Sequence, residues 1–376
     1  MDEDLLSIQQ AVALLKVSRP TFNRIRKDQN LPEVFVGKRP RFRKGDILRI
    51  LHGGYDLNAA SAATPTPATT LPQARFEVFS DKTIQSIEIK PNVFDLRNIE
   101  LLDPYGVLSL LTTIIAKGRD GSKIKLLVDD AISCKYLHSI NFFDEVGRFC
   151  KNLEWDRAAL ATVNYINPET LLPIIPIRMK GSERPIAEKL NLLLRQQGFS
   201  AAVGQYISWI LGELADNALT HSSQLQGDRI CYVLATRFIS DSSNCVIVGI
   251  ADTGIGIQTS LKVKSEYKKL SDARALLEAF RPNVSSWAKE FGRGKGLTDV
   301  VKIAKGNNAY FIVASNNLAF LMDFRENRNP HIEKRVPIST APGTRYGLVL
   351  IDTTFKSIPR NEADNFLKTE IGRLGL

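Results

Sequence analysis

Hydrophobic and polar positions change period several times along the chain. Residues 8–15 carry apolar side chains at helical spacing, and Ser7 with Gln10 forms a capping-box pattern ahead of them. After a turn at Lys16-Val17, Ser18 caps a second predicted helix with Pro20 in its first turn, where no N–H is needed; Asn30 and Pro32 end it. EVFVGKRPRFRKGDILRIL then reads as two short strands around a Gly37-Lys38 turn, followed by a small helix. From residue 74, strand-like FEVFS and IEIK lead into FDLRNIELLDPYGVLSLLTTIIAKGRDGSKIKLLV. Its order of strand, tight turn, helix and strand is that of an α/β unit. Farther on, Ile207, Ile210, Leu211 and Leu214 recur at helical spacing, VIVGI (246–250) reads as a strand and LTDVVKIA (297–304) as a helix.

Composition divides these pieces. Residues 54–73, GYDLNAASAATPTPATTLPQ, carry one charge and are rich in Ala, Thr and Pro, which makes a tether with no means of building a core. The expected organisation is a multidomain α+β chain: 1–53, the linker 54–73, 74–165, 166–358 and a C-terminal helix at 359–376. A 44% hydrophobic and 24% charged composition is ordinary for a soluble globular protein. No apolar run approaches the ~20 residues of a membrane span. The acidic start MDEDLLSIQQ lacks the pattern of a secretory signal, so a cytoplasmic protein without a membrane partner is expected. Cys134, Cys150, Cys231 and Cys245 lie in apolar contexts with no C-x-x-C pair, which favours reduced core thiols over disulfides or zinc.

The net charge of +10 is uneven: residues 1–53 hold 11 Lys/Arg against 6 Asp/Glu, a bias toward a polyanionic partner. Helix, turn, helix and basic hairpin describe a compact winged helix-turn-helix, and the segment resembles excisionase-like and MerR-like DNA-binding domains. In the second helix Phe22, Ile25 and Gln29 take the inward side. Arg19, Thr21, Arg24 and Lys27 are then candidates for the major groove of double-stranded DNA. Lys38, Arg39, Arg41 and Arg43 would line the wing and touch phosphates. One such unit makes few phosphate contacts, so useful affinity calls for a homodimer or a neighbouring protein on the DNA.

The stretch VFDLRNIELLDPYGVLSLL resembles a STAS domain, the fold of anti-anti-sigma factors. In that family the strand runs into Asp-Ser-Ser/Thr-Gly-Leu, and the first Ser is a phosphorylation target. The matching residues are Asp103, Pro104, Tyr105 and Gly106, and proline has no hydroxyl to phosphorylate. The segment is thus a docking module for a protein partner or a plain packing layer.

Four stretches in order carry the chemistry: GELADNALTHS (212–222), ADTGIGI (251–257), FGRGKGL (291–297) and APGTRYGLVLI (341–351). Glu213, Asn217 and His221 are four residues apart, so they share one helix face. Together the stretches resemble the GHKL superfamily of Bergerat-fold ATPases, an α/β sandwich, with ATP and Mg²⁺ as implied ligands. The resemblance gives Asn217 the Mg²⁺, a hard cation that prefers oxygen. It makes Glu213 the group that orients or deprotonates the attacking water. Asp252 would accept from the adenine amino group, with Gly254 and Gly256 letting the backbone approach the base. Gly292, Arg293, Gly294, Lys295 and Gly296 would cradle phosphates at a helix N-terminus, and Thr344 would hold the adenine side. Gln258–Phe291 takes the place of the ATP lid, with Lys262, Lys264, Lys268, Lys269 and Lys289. GRGKGL is not a P-loop, because Gly296 follows Lys295 in place of Ser or Thr.

His52, His138 and His331 have no partners at metal-ligand spacing, and none of the histidines sits in a phosphoacceptor hairpin, which argues against a histidine autokinase. The expected function is an ATP-binding, ATP-hydrolysing protein that couples nucleotide state to DNA binding, as a transcriptional, mobile-element or defence regulator. The alternative is a serine/threonine kinase of the anti-sigma type acting on a partner protein.

Overall fold

The computed structural model describes residues 5–15, 34–36, 39–43, 84–97, 99, 103–161, 165–221, 230–240, 243–285, 296–325, 329–353 and 355–376. The chain divides into two compact units, 1–73 and 74–376. No helix among the described residues is long and apolar enough to cross a membrane.

In the first unit, α1 (Ile8–Leu15) begins at the capping box expected from the sequence. Gln10 N–H donates to Ser7 Oγ at 3.3 Å, and Ser7 N–H donates back to Gln10 Oε1 at 2.9 Å. Strands β1 (Leu5–Leu6), β2 (Val34–Val36) and β3 (Arg39–Arg43) form a sheet in the order β1-β3-β2. Val36 pairs with Arg39, and the Gly37-Lys38 turn expected between them lies outside the described residues. Leu5 and Leu6 pair with Arg43 and Phe42, a strand the sequence pattern does not announce. Phe42 and Ala11 are fully buried against each other. The predicted second helix (18–30), the small helix after the hairpin and the linker lie outside the described residues.

The second unit is built on two sheets. Strands β4 (Glu88–Lys90), β5 (Val93–Asp95), β6 (Ile124–Leu127) and β7 (Leu153–Glu154) lie in the order β4-β5-β6-β7; β5, β6 and β7 are parallel and β4 is antiparallel to β5. Helix α2 (Pro104–Gly118) follows β5, and α3 (Ile132–Ser139) and α4 (Phe142–Phe149) follow β6. Asp103 caps α2 by accepting from Gly106 N–H at 2.8 Å, with Pro104 at the first helical position.

The larger sheet comprises β8 (Thr170–Ile177), β9 (Cys231–Ser240), β10 (Ser243–Asp252), β11 (Tyr310–Ser315), β12 (Leu318–Asp323), β13 (His331–Arg335) and β14 (Thr344–Ile351). Its order is β13-β12-β11-β14-β10-β9-β8, antiparallel throughout. One face meets α2. The odd-numbered β10 residues Cys245, Ile247 and Ala251 share a single buried cluster with Leu108, Leu111 and Ile115 of that helix. At Gly249 the backbones touch: a β-carbon there would lie 2.5 Å from Pro104 O. The segment 74–165 therefore packs on the sheet of the segment 166–358 and shares its core. This is why all but two residues of α2 are buried, a helix with no solvent face.

Even-numbered β10 residues, Val246, Val248, Ile250 and Asp252, point to the opposite face. There lie α5 (Glu183–Gln196), α6 (Ala201–His221) and α9 (Gly296–Gly306). Between β10 and α9 come α7 (Ile257–Leu261) and α8 (Asp272–Glu278), joined by their own apolar cluster of Leu261, Ala275 and Ala279. Helix α10 (Arg360–Arg373) braces them. Asp364 accepts from Arg281 Nε at 2.8 Å, while Glu370 accepts from Ile332 N–H at 2.6 Å on edge strand β13. All four cysteines are free and buried.

Candidate functional site

The alternation of β10 and β14 brings Asp252 and Thr344 to the face covered by α6. Asp252 ends β10 and is buried; its Oδ1 accepts from Gly254 N–H at 2.7 Å and from Thr344 N–H at 3.3 Å. Burial pushes this carboxyl up to about 6, against the two backbone donors and the nearby Arg345 guanidinium. The turn that follows is close-packed. Gly256 has φ +83°, and a β-carbon on it would lie 2.7 Å from Ser315 Oγ. Gly343, at φ +108°, would carry its β-carbon into the carbonyl of Asp252.

Directly behind Asp252, on the α2 face, Arg345 is fully buried. It donates through Nε to Thr112 Oγ1 at 3.1 Å and through one amino group to Ala341 O at 2.5 Å and Pro342 O at 3.2 Å. Two more contacts tie α2 to the rim of this pocket. Arg119, the residue after α2, donates to Thr253 Oγ1 at 2.7 Å, and the hydroxyls of Thr113 and Ser339 are 2.5 Å apart.

The other end of the site is the seam of α6 and α9. Glu213, Asp216 and Asn217 occupy one turn of α6 and are half-buried. The first residue of α9, Gly296, lies against Glu213: a β-carbon on it would fall on Oε2. Burial pushes the Glu213 carboxyl up, Asp216 and Asp299 push it further, and Lys180 pulls it down. Lys180 reaches over from the β8–α5 connection and pairs with Asp216 Oδ1 at 2.5 Å. Along the same seam, one turn of α6 before Glu213, a cavity of ≈ 280 Å³ is lined by Tyr206, Trp209, Asp299, Lys302 and Phe355.

The donor set fits an adenine nucleotide. A buried carboxylate beside tightly turned backbone sits at one end of a single sheet face. A carboxylate, an amide and a helix N-terminus sit at the other. Among the described residues no three His, Cys, Asp or Glu side chains are grouped to hold a metal. Mg²⁺ held through phosphates and waters needs only one protein oxygen or two, which Asn217 can provide.

The structure thus gathers Glu213 with Gly296, and Asp252 with Gly254, Gly256 and Thr344. Gly292, Arg293, Gly294 and Lys295 lie outside the described residues, as do Lys289, His52, Arg19, Thr21, Arg24, Lys27 and Lys38, and nothing is described of the His221 side chain. Of the basic hairpin residues, Arg39, Arg41 and Arg43 belong to β3, on which Phe42 is fully buried. Lys262 in the lid position pairs with Asp272 at 2.8 Å. Sequence reasoning passed over Lys180, Arg119 and Arg345, which lie outside the functional positions of the four motifs and carry no local signal. No protein-family model matches the chain, and no curated protein matches it.

Proposed function

We propose that the second unit binds ATP with Mg²⁺ and hydrolyses it, and that the nucleotide state controls DNA binding by the first unit. The observation that carries the reading is the contact between Glu213 and the N-terminal residue of α9, with Asp252 and Thr344 on the same side of the sheet. It supports a site in which Glu213 serves as base, the start of α9 as phosphate-binding end and Asp252 as adenine acceptor.

In this reading Asp252 accepts from the adenine amino group and Thr344 supports it. The N-terminus of α9 meets the phosphates. Asn217 gives an oxygen to Mg²⁺, which when bound offsets the phosphate charge. Glu213 takes the proton of the attacking water. Burial and the neighbouring carboxylates of Asp216 and Asp299 raise its pKa, which makes it a stronger base than an exposed glutamate. The DNA arm rests on the arginines of β3 and the basic excess of residues 1–53.

The test is Mg²⁺-dependent phosphate release by the full chain, wild type beside Glu213→Ala and Asn217→Ala, with ATP binding followed in parallel. Wild-type turnover, with Glu213→Ala binding but not turning over, is expected. DNA affinity measured with and without ATP then tests the coupling, and equal affinities would sink it.

A further inference from the structure

Lys180 belongs to none of the four motifs, yet the fold delivers its ammonium to Asp216 at the acidic end of the site. The connection it sits on is a built turn. Gly181 takes φ +92°, its N–H donates to Glu183 Oε2 at 2.6 Å, and Ser182 Oγ donates to Met179 O at 2.6 Å. On the strand side, Arg178 lies 5.8 Å from the centre of the Phe149 ring. The backbone at residue 180 is therefore fixed at both ends, while its side chain remains 64% exposed.

Its contact with Asp216 has the character of a parking place. The Nζ–Oδ1 separation is 2.5 Å, but the pair is an ion pair without a directed hydrogen bond on Oδ1. Oδ1 itself is buried, whereas Asp216 as a whole is one-third exposed and Lys180 more so, so the ammonium approaches from the solvent side and can turn away from it. Asp216 and Asp299 both act on Glu213, Lys180 acts on Glu213 as well as on Asp216, and Asp299 is already held by Lys302 at 2.9 Å and Arg360 at 3.1 Å. A polyphosphate entering between α6 and the start of α9 would meet these carboxylates, and a charge-assisted bond from Lys180 to a phosphate oxygen would replace its undirected contact with Asp216.

We propose that Lys180 is a phosphate-binding residue of the nucleotide site: it exchanges Asp216 for the terminal phosphates and so sets the preference for nucleoside triphosphate over shorter forms. This rests on the nucleotide reading above. The one-turn neighbourhood of Asp216, Asn217 and Glu213 places the ammonium beside the groups assigned to metal and water, at the phosphate end and away from Asp252.

The experiment measures the binding of ATP, ADP and adenosine to the full chain by calorimetry, for wild type, Lys180→Ala and Lys180→Arg. Adenosine carries no phosphate and reports an intact base pocket, so it doubles as the folding control. Lys180→Ala is expected to weaken ATP about tenfold or more, as loss of a charge-assisted contact does, and to leave adenosine within about twofold. Lys180→Arg is expected to restore most of the ATP affinity. Wild type that binds ATP and adenosine, with Lys180→Ala weakening both equally or neither, overturns this inference alone. Wild type that binds neither ligand overturns the nucleotide reading and this inference with it.

Discussion

Gly296 and Glu213 meet across two helices: a β-carbon on the glycine would fall on Glu213 Oε2, so any larger residue must shift that carboxylate. Alanine is the better helix former by roughly 0.5–1 kcal/mol, so Gly296→Ala would raise helix propensity. It is nonetheless expected to push Glu213 aside and cut phosphate release by about tenfold or more, with adenosine affinity unchanged. A variant as active as wild type would mean that Glu213 does not work from this position.

Glu213→Gln keeps the shape of the side chain and removes the base. Steady-state turnover is expected to fall by about 10²–10⁴-fold while ATP still binds. An equal loss of binding would assign Glu213 to holding the nucleotide instead.

The Asp252 carboxyl gives a pH signature. Its ordinary value is 3.8, and burial raises it to about 6. The neutral form is thus favoured on folding, so its contribution to stability is full below pH 3.8 and is lost as pH rises through about 6. Adenine recognition runs the other way, because the ionised carboxylate is the better acceptor. Adenosine affinity is expected to rise as pH increases through about 6 in wild type and to stay flat in Asp252→Asn. Adenosine suits this titration because a phosphate would itself ionise near pH ~6.

Arg345→Met removes a fully buried guanidinium and leaves Thr112 Oγ1 and the carbonyls of residues 341 and 342 without that donor. A loss of about 3 kcal/mol in urea unfolding is expected. A loss well below about 1 kcal/mol would show that water or a neighbour replaces it.

Gly249→Val tests how α2 docks. The new side chain would start 2.5 Å from Pro104 O, so either the helix or the strand must move. Destabilisation of about 1–3 kcal/mol, read from the urea midpoint, is expected. An unchanged midpoint would mean that α2 sits on the sheet more loosely than the contact implies.

What the sequence made legible was local. The Ser7/Gln10 box, the VIVGI strand and the helix at 297–304 each follow from a pattern within a few residues, and each is present. The tight turn expected ahead of the helix is present too, and the structure adds that Asp103 caps that helix with Pro104 at the first helical position. Pairings at a distance were not legible. Leu5–Leu6 becomes a strand only because β3 offers it an edge. Lys180 and Asp216 are 36 residues apart, and nothing local pairs them. Arg345 looks like a surface charge in TRYGLVLI, and only the docking of α2 makes it a buried one. The apolar length of α2 does predict burial, but says nothing of which surface covers it.

The covering surface is made late. Residues 104–118 leave the ribosome well before strands β9, β10 and β14, which end at residues 240, 252 and 351. At roughly 5–20 residues per second, the chain spends ten seconds or more with a mostly apolar helix synthesised and its seat unfinished. Folding of this unit must await distant contacts, which slows it and exposes a sticky surface meanwhile. A nascent chain stalled before residue 351 is therefore a client for chaperones, and the last strands to emerge settle the fate of one of the first helices.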